Sequence, residues 1–239
     1  MTILDGSALA ARRLPGLRAR AQALGAARGR LPSLGILGFA DASGKVPHVA
    51  PKLRAAEASG VAVRVEALPV GATLADAIAA TERLRSDPDL DGLFVQFPYP
   101  EASWGEAIES LIPPALDVDV MAPREVQRFM RDASMLPPVT VSAALALMDD
   151  AGIALADRDG VVIAEPSPFA EMFRLAFARR GVRMSGLVSP QDATHDAAVR
   201  GASLVIVAAG IPGLVDAAAL AEGAVAIDVG YFNPGARGD

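Results

Sequence analysis

The sequence predicts an α/β protein built as two αβα domains around a cleft, the second a Rossmann-like, doubly wound parallel sheet. Three observations predict it. Short apolar runs bounded by polar or glycine-containing turns alternate with stretches of helical spacing. The alternation recurs in each half of the chain, which implies parallel strands joined by crossover helices. No internal repeat, low-complexity tract or long flexible linker interrupts it.

In order, an Ala/Arg/Leu-rich stretch from Ser7 to Gly25 has helical spacing, after a turn and cap at Leu4 to Ser7. Leu34 to Phe39 is a buried strand that leaves its sheet at a polar loop, and Pro47 suits a first helical turn. Val49 to Ser59 reads as helix with Gly60 as its stop, Val61 to Ala67 as strand, and Leu74 to Leu84 as helix. Asp91 to Phe97 is a third strand, closed by Pro98-Tyr99-Pro100. Asp117 to Pro123 and a helix after Thr140 connect the halves. Gly160–Ala164, Val182–Val188, Ser203–Ala208 and Ala224–Val229 are the strands of the second half.

Composition narrows the function. With 239 residues, 52% of them hydrophobic, the chain can bury one large core or two modest ones. No apolar run reaches the roughly 18 residues of a spanning helix, and the chain turns charged at Asp5, so a soluble cytoplasmic protein is expected. The absence of cysteine excludes disulfides, thiolate metal sites and a cysteine nucleophile, and two histidines leave little for a metal. A dispersed net charge of -6, without a basic cluster, argues against nucleic acid and for a small-molecule partner.

Three groups of residues are candidates for chemistry. His48 and Lys52, four apart on the predicted helix after the first strand, share one face at the edge where open parallel sheets place ligands. On spacing alone, the commoner reading is a solvent-facing pair. Gln96 is the lone polar side chain in an apolar strand; a buried amide needs partners, so a structural role is as open as a catalytic one. Asp117 and Asp119 alternate in a D-V-D-V segment that also reads as a turn or a helix cap. His195 lies in a polar stretch and is expected at the surface.

The order of these motifs resembles the methylenetetrahydrofolate dehydrogenase/cyclohydrolase family over nearly the whole chain. I-L-D-G-S-A-L-A-A-R at Ile3 to Arg12 is similar to the family's first helix, and H-V-A-P-K at His48 to Lys52 sits where the family has Y-V-x-x-K. D-G-L-F-V-Q-F-P-Y-P at Asp91 to Pro100 resembles D-G-I-L-V-Q-L-P-L-P. D-V-D at Asp117 to Asp119, P-x-T at Pro138 to Thr140, A-A-G-I-P-G at Ala208 to Gly213 and G-A-V-A-I-D-V-G at Gly223 to Gly230 follow at matching spacing. The resemblance implies a folate-binding catalytic domain over residues 1–121, a Rossmann-like domain over 122–239, and a homodimer. It implies Lys52 and Gln96 at the one-carbon centre, Asp119 on the pterin, and Pro98, Tyr99 and Pro100 against the substrate. A lysine partly desolvated beside such a site can lose its proton and act as a base.

Three departures modify that expectation. The family's dinucleotide loop resembles G-R-S-x-x-V-G-x-P, whereas the aligned Ala164-Glu165-Pro166-Ser167-Pro168-Phe169-Ala170-Glu171-Met172 retains neither glycine. Glu165 replaces the arginine and would repel a 2′-phosphate, although it could contact a ribose diol, while Pro166 and Pro168 remove two backbone donors. The degenerate loop Ala164, Glu165, Pro166 and Ser167 leads to the expectation that the chain does not use NAD(P). His48 stands in place of the tyrosine and could add an acid/base group, or merely fill that space. The chain stops at Asp239, where the family continues into a segment returning to the cleft. The expected activity is action on 5,10-methenyl- or 5,10-methylenetetrahydrofolate without nicotinamide, by hydrolysis or by one-carbon transfer to another nucleophile. The alternatives are the bifunctional NAD(P)-dependent dehydrogenase/cyclohydrolase and a non-catalytic folate-binding protein.

Overall fold

A computed structural model describes residues 2–230 of the chain. The chain divides into two compact units, Met1–Arg128 and Phe129–Asp239.

In the first unit, helix α1 (Gly6–Arg28) starts at Asp5, whose carboxylate accepts from the N–H groups of Ser7 and Ala8 at 2.9 and 3.0 Å. It carries Pro15 within its length and ends at Gly29 in left-handed backbone. Strand β1 (Ser33–Phe39), helix α2 (Val49–Ser59), strand β2 (Ala62–Leu68), helix α3 (Leu74–Arg85) and strand β3 (Gly92–Val95) follow. Thr73 and Asp76 form a reciprocal capping box at the start of α3. Helix α4 (Trp104–Glu109) comes next, and helix α5 (Pro123–Arg131) leads out of the unit.

The sheet is parallel in the order β2-β1-β3. The chain thus moves from β1 to one side and returns to the other, so a crevice opens beyond the C-terminal ends of β1 and β3. Both faces of the sheet are covered. Leu37, Phe39, Leu93 and Val95 pack with Ala77, Leu84, Trp104 and Ile108 from α3 and α4. Ile36 and Phe94, of opposite pleat, pack with Val49 at the start of α2. Fully buried parallel strands explain why β1 and β3 read as continuous apolar runs.

The second unit contains α6 (Val139–Asp150), β4 (Asp159–Ile163), α7 (Pro168–Ala178), β5 (Arg183–Val188), α8 (His195–Gly201), β6 (Leu204–Val207), a 3-10 turn at Ala217–Ala219 and β7 (Val225–Asp228). Its sheet is parallel in the order β5-β4-β6-β7, doubly wound as expected, with the direction of winding reversing at β4. Val161, Ile163, Val205 and Val207 pack with Val199 and Ala202 at α8, while α7 packs on β4 and β5.

One strand end differs from the sequence reading. β3 stops at Val95, not Phe97, although the Gln96 N–H still bonds the Leu37 carbonyl at 2.8 Å and continues the ladder by one residue. The second helix runs from Val49 to Ser59 as the sequence reading has it; Pro47 stays outside it, because His48 takes a left-handed backbone with φ of 60°.

Asp91 ties the first unit together at the opposite edge of the sheet. Its carboxylate accepts from Arg28 at 2.8 Å, from Arg30 at 2.7 and 3.1 Å, and from the Ser33 N–H at 3.0 Å. The Arg30 guanidinium is the main reason its carboxyl is held down to about 2 from an ordinary 3.8. A depressed carboxyl contributes stability that is complete above the unfolded value and is lost as the pH falls through the folded one. Asp91→Asn should therefore lower the unfolding free energy at pH 7 by about 1 kcal/mol, with the difference closing between pH 4 and pH 2 in denaturant titrations.

Val120 is a β-branched residue at φ of 60°, a region that costs an L residue roughly 1–2 kcal/mol. Glycine relieves that cost, partly offset by its greater freedom when unfolded. Val120→Gly should raise stability by about 0.5–1 kcal/mol by the same principles; an unchanged or lower denaturation midpoint would contradict the strain.

Candidate active site and dinucleotide-binding unit

The loop after β1 is held close to the sheet because Gly38 has no side chain: a Cβ there would lie 2.3 Å from Cγ1 of Val46. That approach delivers His48 and the first turn of α2 to the C-terminal edge of the sheet, and β3 delivers Gln96 to the same edge. Lys52 Nζ donates to Gln96 Oε1 at 2.6 Å and lies 5.7 Å from the centre of the Phe94 ring. Gln96 Nε2 in turn donates to the Phe97 carbonyl at 2.6 Å, so the amide is held at both ends. Lys52 as a residue is exposed, but these neighbours partly desolvate its ammonium end. Desolvation lowers its pKa, and the nearby negative charge of Asp119 opposes the shift.

Asp119 stands on a loop shaped by Asp117. The Asp117 carboxylate accepts from the N–H groups of Asp119 at 3.1 Å, Val120 at 2.8 Å and Ala122 at 3.0 Å. Asp117 also bridges to Leu93 beside β3, which docks the loop against the sheet. Among the described residues, none donates a hydrogen bond to the Asp119 carboxylate. Burial raises its pKa, Asp117 adds to the rise, and Lys52 opposes it.

The segment after Gln96 turns through a cis Phe97–Pro98 bond. Pro98 and Pro100 are exposed, whereas Tyr99 is half-buried, edge-on to Phe39 at 5.9 Å and to Phe97 at 4.6 Å. The Tyr99 hydroxyl donates to the Glu109 carboxylate at the end of α4. Burial pushes Glu109 up to about 7 from an ordinary 4.5, with Asp117 and Asp119 adding to the rise and the Tyr99 hydrogen bond opposing it.

In the second unit, Ala164 leaves β4 with its N–H on the Val188 carbonyl at 3.0 Å, and Glu165 follows at the exposed end of the strand. Ser167 caps α7, accepting from the Ala170 N–H at 3.2 Å, with Pro168 in the first helical position. Pro166 and Pro168 have no N–H, so the donors this helix start can offer begin at Phe169. After β6, Gly210 and Gly213 take left-handed backbone. A Cβ on Gly230 would fall 2.5 Å from the Gly210 nitrogen, so the ends of β6 and β7 meet closely. A parallel sheet reversing at β4, a helix start beside it and a glycine loop after β6 fit a dinucleotide by topology.

Lys52, Gln96 and Asp119 are thus brought together in the first unit, with Pro98, Tyr99 and Pro100 on the adjoining turn. His48 lies at the same edge, but it precedes α2 in left-handed backbone and does not share a helical face with Lys52 as the spacing predicted. His195 is a correction: it is 8% exposed, its Nδ1 3.2 Å from Asp196 and its Nε2 without a hydrogen-bond partner. Glu109 was missed by sequence reasoning. It sits on a short helix with no motif to mark it, and the tyrosine that makes it notable is ten residues away. Among the described residues no cluster of three or more metal-ligating side chains occurs, and no helix is long and apolar enough to cross a membrane. The expected effect of the chain end falls outside the described residues.

Residues 4–119 match the family model described as the catalytic domain of tetrahydrofolate dehydrogenase/cyclohydrolase, and residues 138–237 match the NAD(P)-binding domain of the same family. A relative from Frankia alni, bifunctional protein FolD 2, is 31% identical over 242 residues, covering 99% of this chain and 83% of the relative. The structure of the bifunctional enzyme FolD from Campylobacter jejuni superposes with a TM-score of 0.86 at 27% identity, covering 96% of this chain and 81% of that one. The Trypanosoma brucei methylenetetrahydrofolate dehydrogenase-cyclohydrolase, solved with NADP and an inhibitor, superposes with a TM-score of 0.88 at 25% identity, covering 96% and 78%.

The expectation that the chain does not use NAD(P) is overturned by the match over residues 138–237 and by the NADP complex of a structural neighbour. The physical reason is that the loop glycines are one part of the site; strand order, helix placement and the β6 loop persist without them. With both domain models matched and a relative above 30% identity aligned along the chain, this protein belongs to the tetrahydrofolate dehydrogenase/cyclohydrolase family.

Proposed function

We propose that this chain is a bifunctional enzyme that oxidises 5,10-methylenetetrahydrofolate with a nicotinamide dinucleotide and hydrolyses the resulting 5,10-methenyl form. The observation that carries this reading is the Lys52–Gln96 hydrogen bond at 2.6 Å beside Asp119, in a chain that matches both domain models of the family. Bound to the second unit, the dinucleotide would supply the acceptor for a hydride from the methylene carbon.

The residues of the first unit do the remaining work. The Asp119 carboxylate accepts paired hydrogen bonds from the amino and ring N–H groups of a pterin, with Lys52 opposing the rise that burial gives its pKa. Desolvation lowers the Lys52 pKa, which makes its neutral amine, the form that can take a proton, easier to reach. In hydrolysis, water adds to the bridge carbon and gives a proton to Lys52. As one carbon–nitrogen bond breaks, the hydroxyl proton of the adduct passes to the departing nitrogen and the oxygen becomes the formyl C=O; the ammonium returns its proton to solvent, so one proton is released overall. Gln96 holds the amine through Oε1 and is itself fixed by the Phe97 carbonyl. His48 stands at the same sheet edge and is a second candidate for proton transfer.

Lys52→Ala should lower the rate of methenyltetrahydrofolate hydrolysis by about 100-fold or more, followed by loss of the methenyl absorbance. Lys52→Arg should not rescue it, because a guanidinium keeps its proton. Unchanged decay with either variant would sink the role of Lys52.

Tyr99 and Glu109 brace the turn that carries Gln96 and the prolines, and their charge state feeds back on stability. The folded Glu109 carboxyl titrates at about 7, above its ordinary 4.5, so the native state holds a proton that the unfolded chain has lost. Its contribution is therefore fullest below pH 4.5 and falls as the pH rises through 7. Glu109→Gln keeps an acceptor for Tyr99 without the charge. Its thermal midpoint should match the wild type at pH 5 and exceed it at pH 8; a variant less stable at pH 8 would contradict the assignment.

A further inference from the structure

We propose that Glu165, backed by Ser189, makes the corner at the ends of β4 and β5 a site for a free ribose diol, so that this chain selects NAD over NADP. The inference rests on the dinucleotide reading above and deepens it, naming which of the two dinucleotides the second unit takes.

The geometry begins with the strand ends. β4 and β5 are adjacent and parallel, and the Ala164 N–H on the Val188 carbonyl keeps their ends level. Glu165 and Ser189 therefore emerge side by side at the C-terminal edge, where doubly wound sheets bind the nucleoside half of a dinucleotide. The Ser189 hydroxyl donates to Glu165 Oε1 at 3.1 Å and also lies 2.6 Å from Gln191 Oε1. The Gln191 N–H donates back to the Ser189 hydroxyl at 3.3 Å. A carboxylate has about four acceptor positions, and Glu165 uses one of them on Ser189. Two adjacent hydroxyls are donors that such a carboxylate can take as a pair.

A 2′-phosphate meets the opposite conditions. Residues 164–168 and 188–194 contain two acids, Glu165 and Asp192, and no lysine or arginine. Asp192 stays ionised, its carboxylate held below the usual range by the N–H and hydroxyl of Thr194, at 2.8 Å each. The phosphate would bring its charge to a corner already negative. Discrimination thus comes from attraction for the diol together with repulsion of the phosphate.

The test is calorimetric titration of the full chain with NAD and with NADP, for wild type, Glu165→Gln and Glu165→Arg. Wild type should bind NAD about ten-fold or more tightly than NADP. Glu165→Gln should narrow the ratio, mainly by strengthening NADP, and Glu165→Arg should reverse it. Equal or tighter NADP binding by the wild type overturns the selection while leaving the dinucleotide reading intact, as does a ratio that Glu165→Gln leaves unchanged. Failure to bind either dinucleotide overturns the dinucleotide reading and this inference with it. Hydrolysis dependent on Lys52 is measured separately and is indifferent to that outcome.

Discussion

The hydrogen bond from Lys52 to Gln96 joins the two halves of the first unit's crossover, and the candidate site is organised around it. Gln96 reaches its place because β3 lies beside β1, with its N–H still in the ladder on Leu37. Lys52 reaches its place because the loop after β1 packs against Gly38 and releases the chain into α2 at Val49. Neither side chain could hold the other in a sheet of different order. The reversal of winding about β1 is therefore a chemical requirement as well as a topological one.

Charge is managed at the same edge by burial and spacing. Asp117 spends its carboxylate on three backbone N–H groups, which leaves Asp119 free to face a ligand. The loop that results holds Val120 in a backbone region that valine disfavours, a local cost of the kind found where a binding residue must be aimed. Lys52 and Asp119 each oppose the shift that burial imposes on the other. Glu109, which accepts from the Tyr99 hydroxyl, adds a carboxyl that changes charge near neutral pH and that feels the charges of Asp117 and Asp119.

The second unit illustrates how fold and local motif part company. Its apolar strands Val161–Ile163 and Leu204–Val207 are fully covered, and that burial preserves the sheet whatever the loop after β4 contains. Ser167 replaces the missing glycines as a helix start with a side-chain cap, and proline takes the first helical position at no cost in hydrogen bonds. The loss of glycines thus alters which ligand groups the corner can meet and leaves its place at the switch point unchanged.

Much of this was legible in one dimension. Continuous apolar runs marked β1, β3, β4 and β6 because strands buried on both faces need no polar alternation. Lys52, Gln96 and Asp119 could be named because their neighbours form ordered motifs. The sequence also contained the substitutions at Glu165 and His48, but not their meaning. Reading the absent glycines as a lost cofactor failed because a motif reports one loop, whereas binding depends on strand order and helix placement, which long-range packing sets. Tertiary structure alone decided that His48 leaves the helical face of Lys52 and that His195 is buried. It alone paired Tyr99 with Glu109 and Glu165 with Ser189. Each of these rests on contacts between residues distant in sequence or on a backbone sign that residue type does not specify, and a local pattern carries neither.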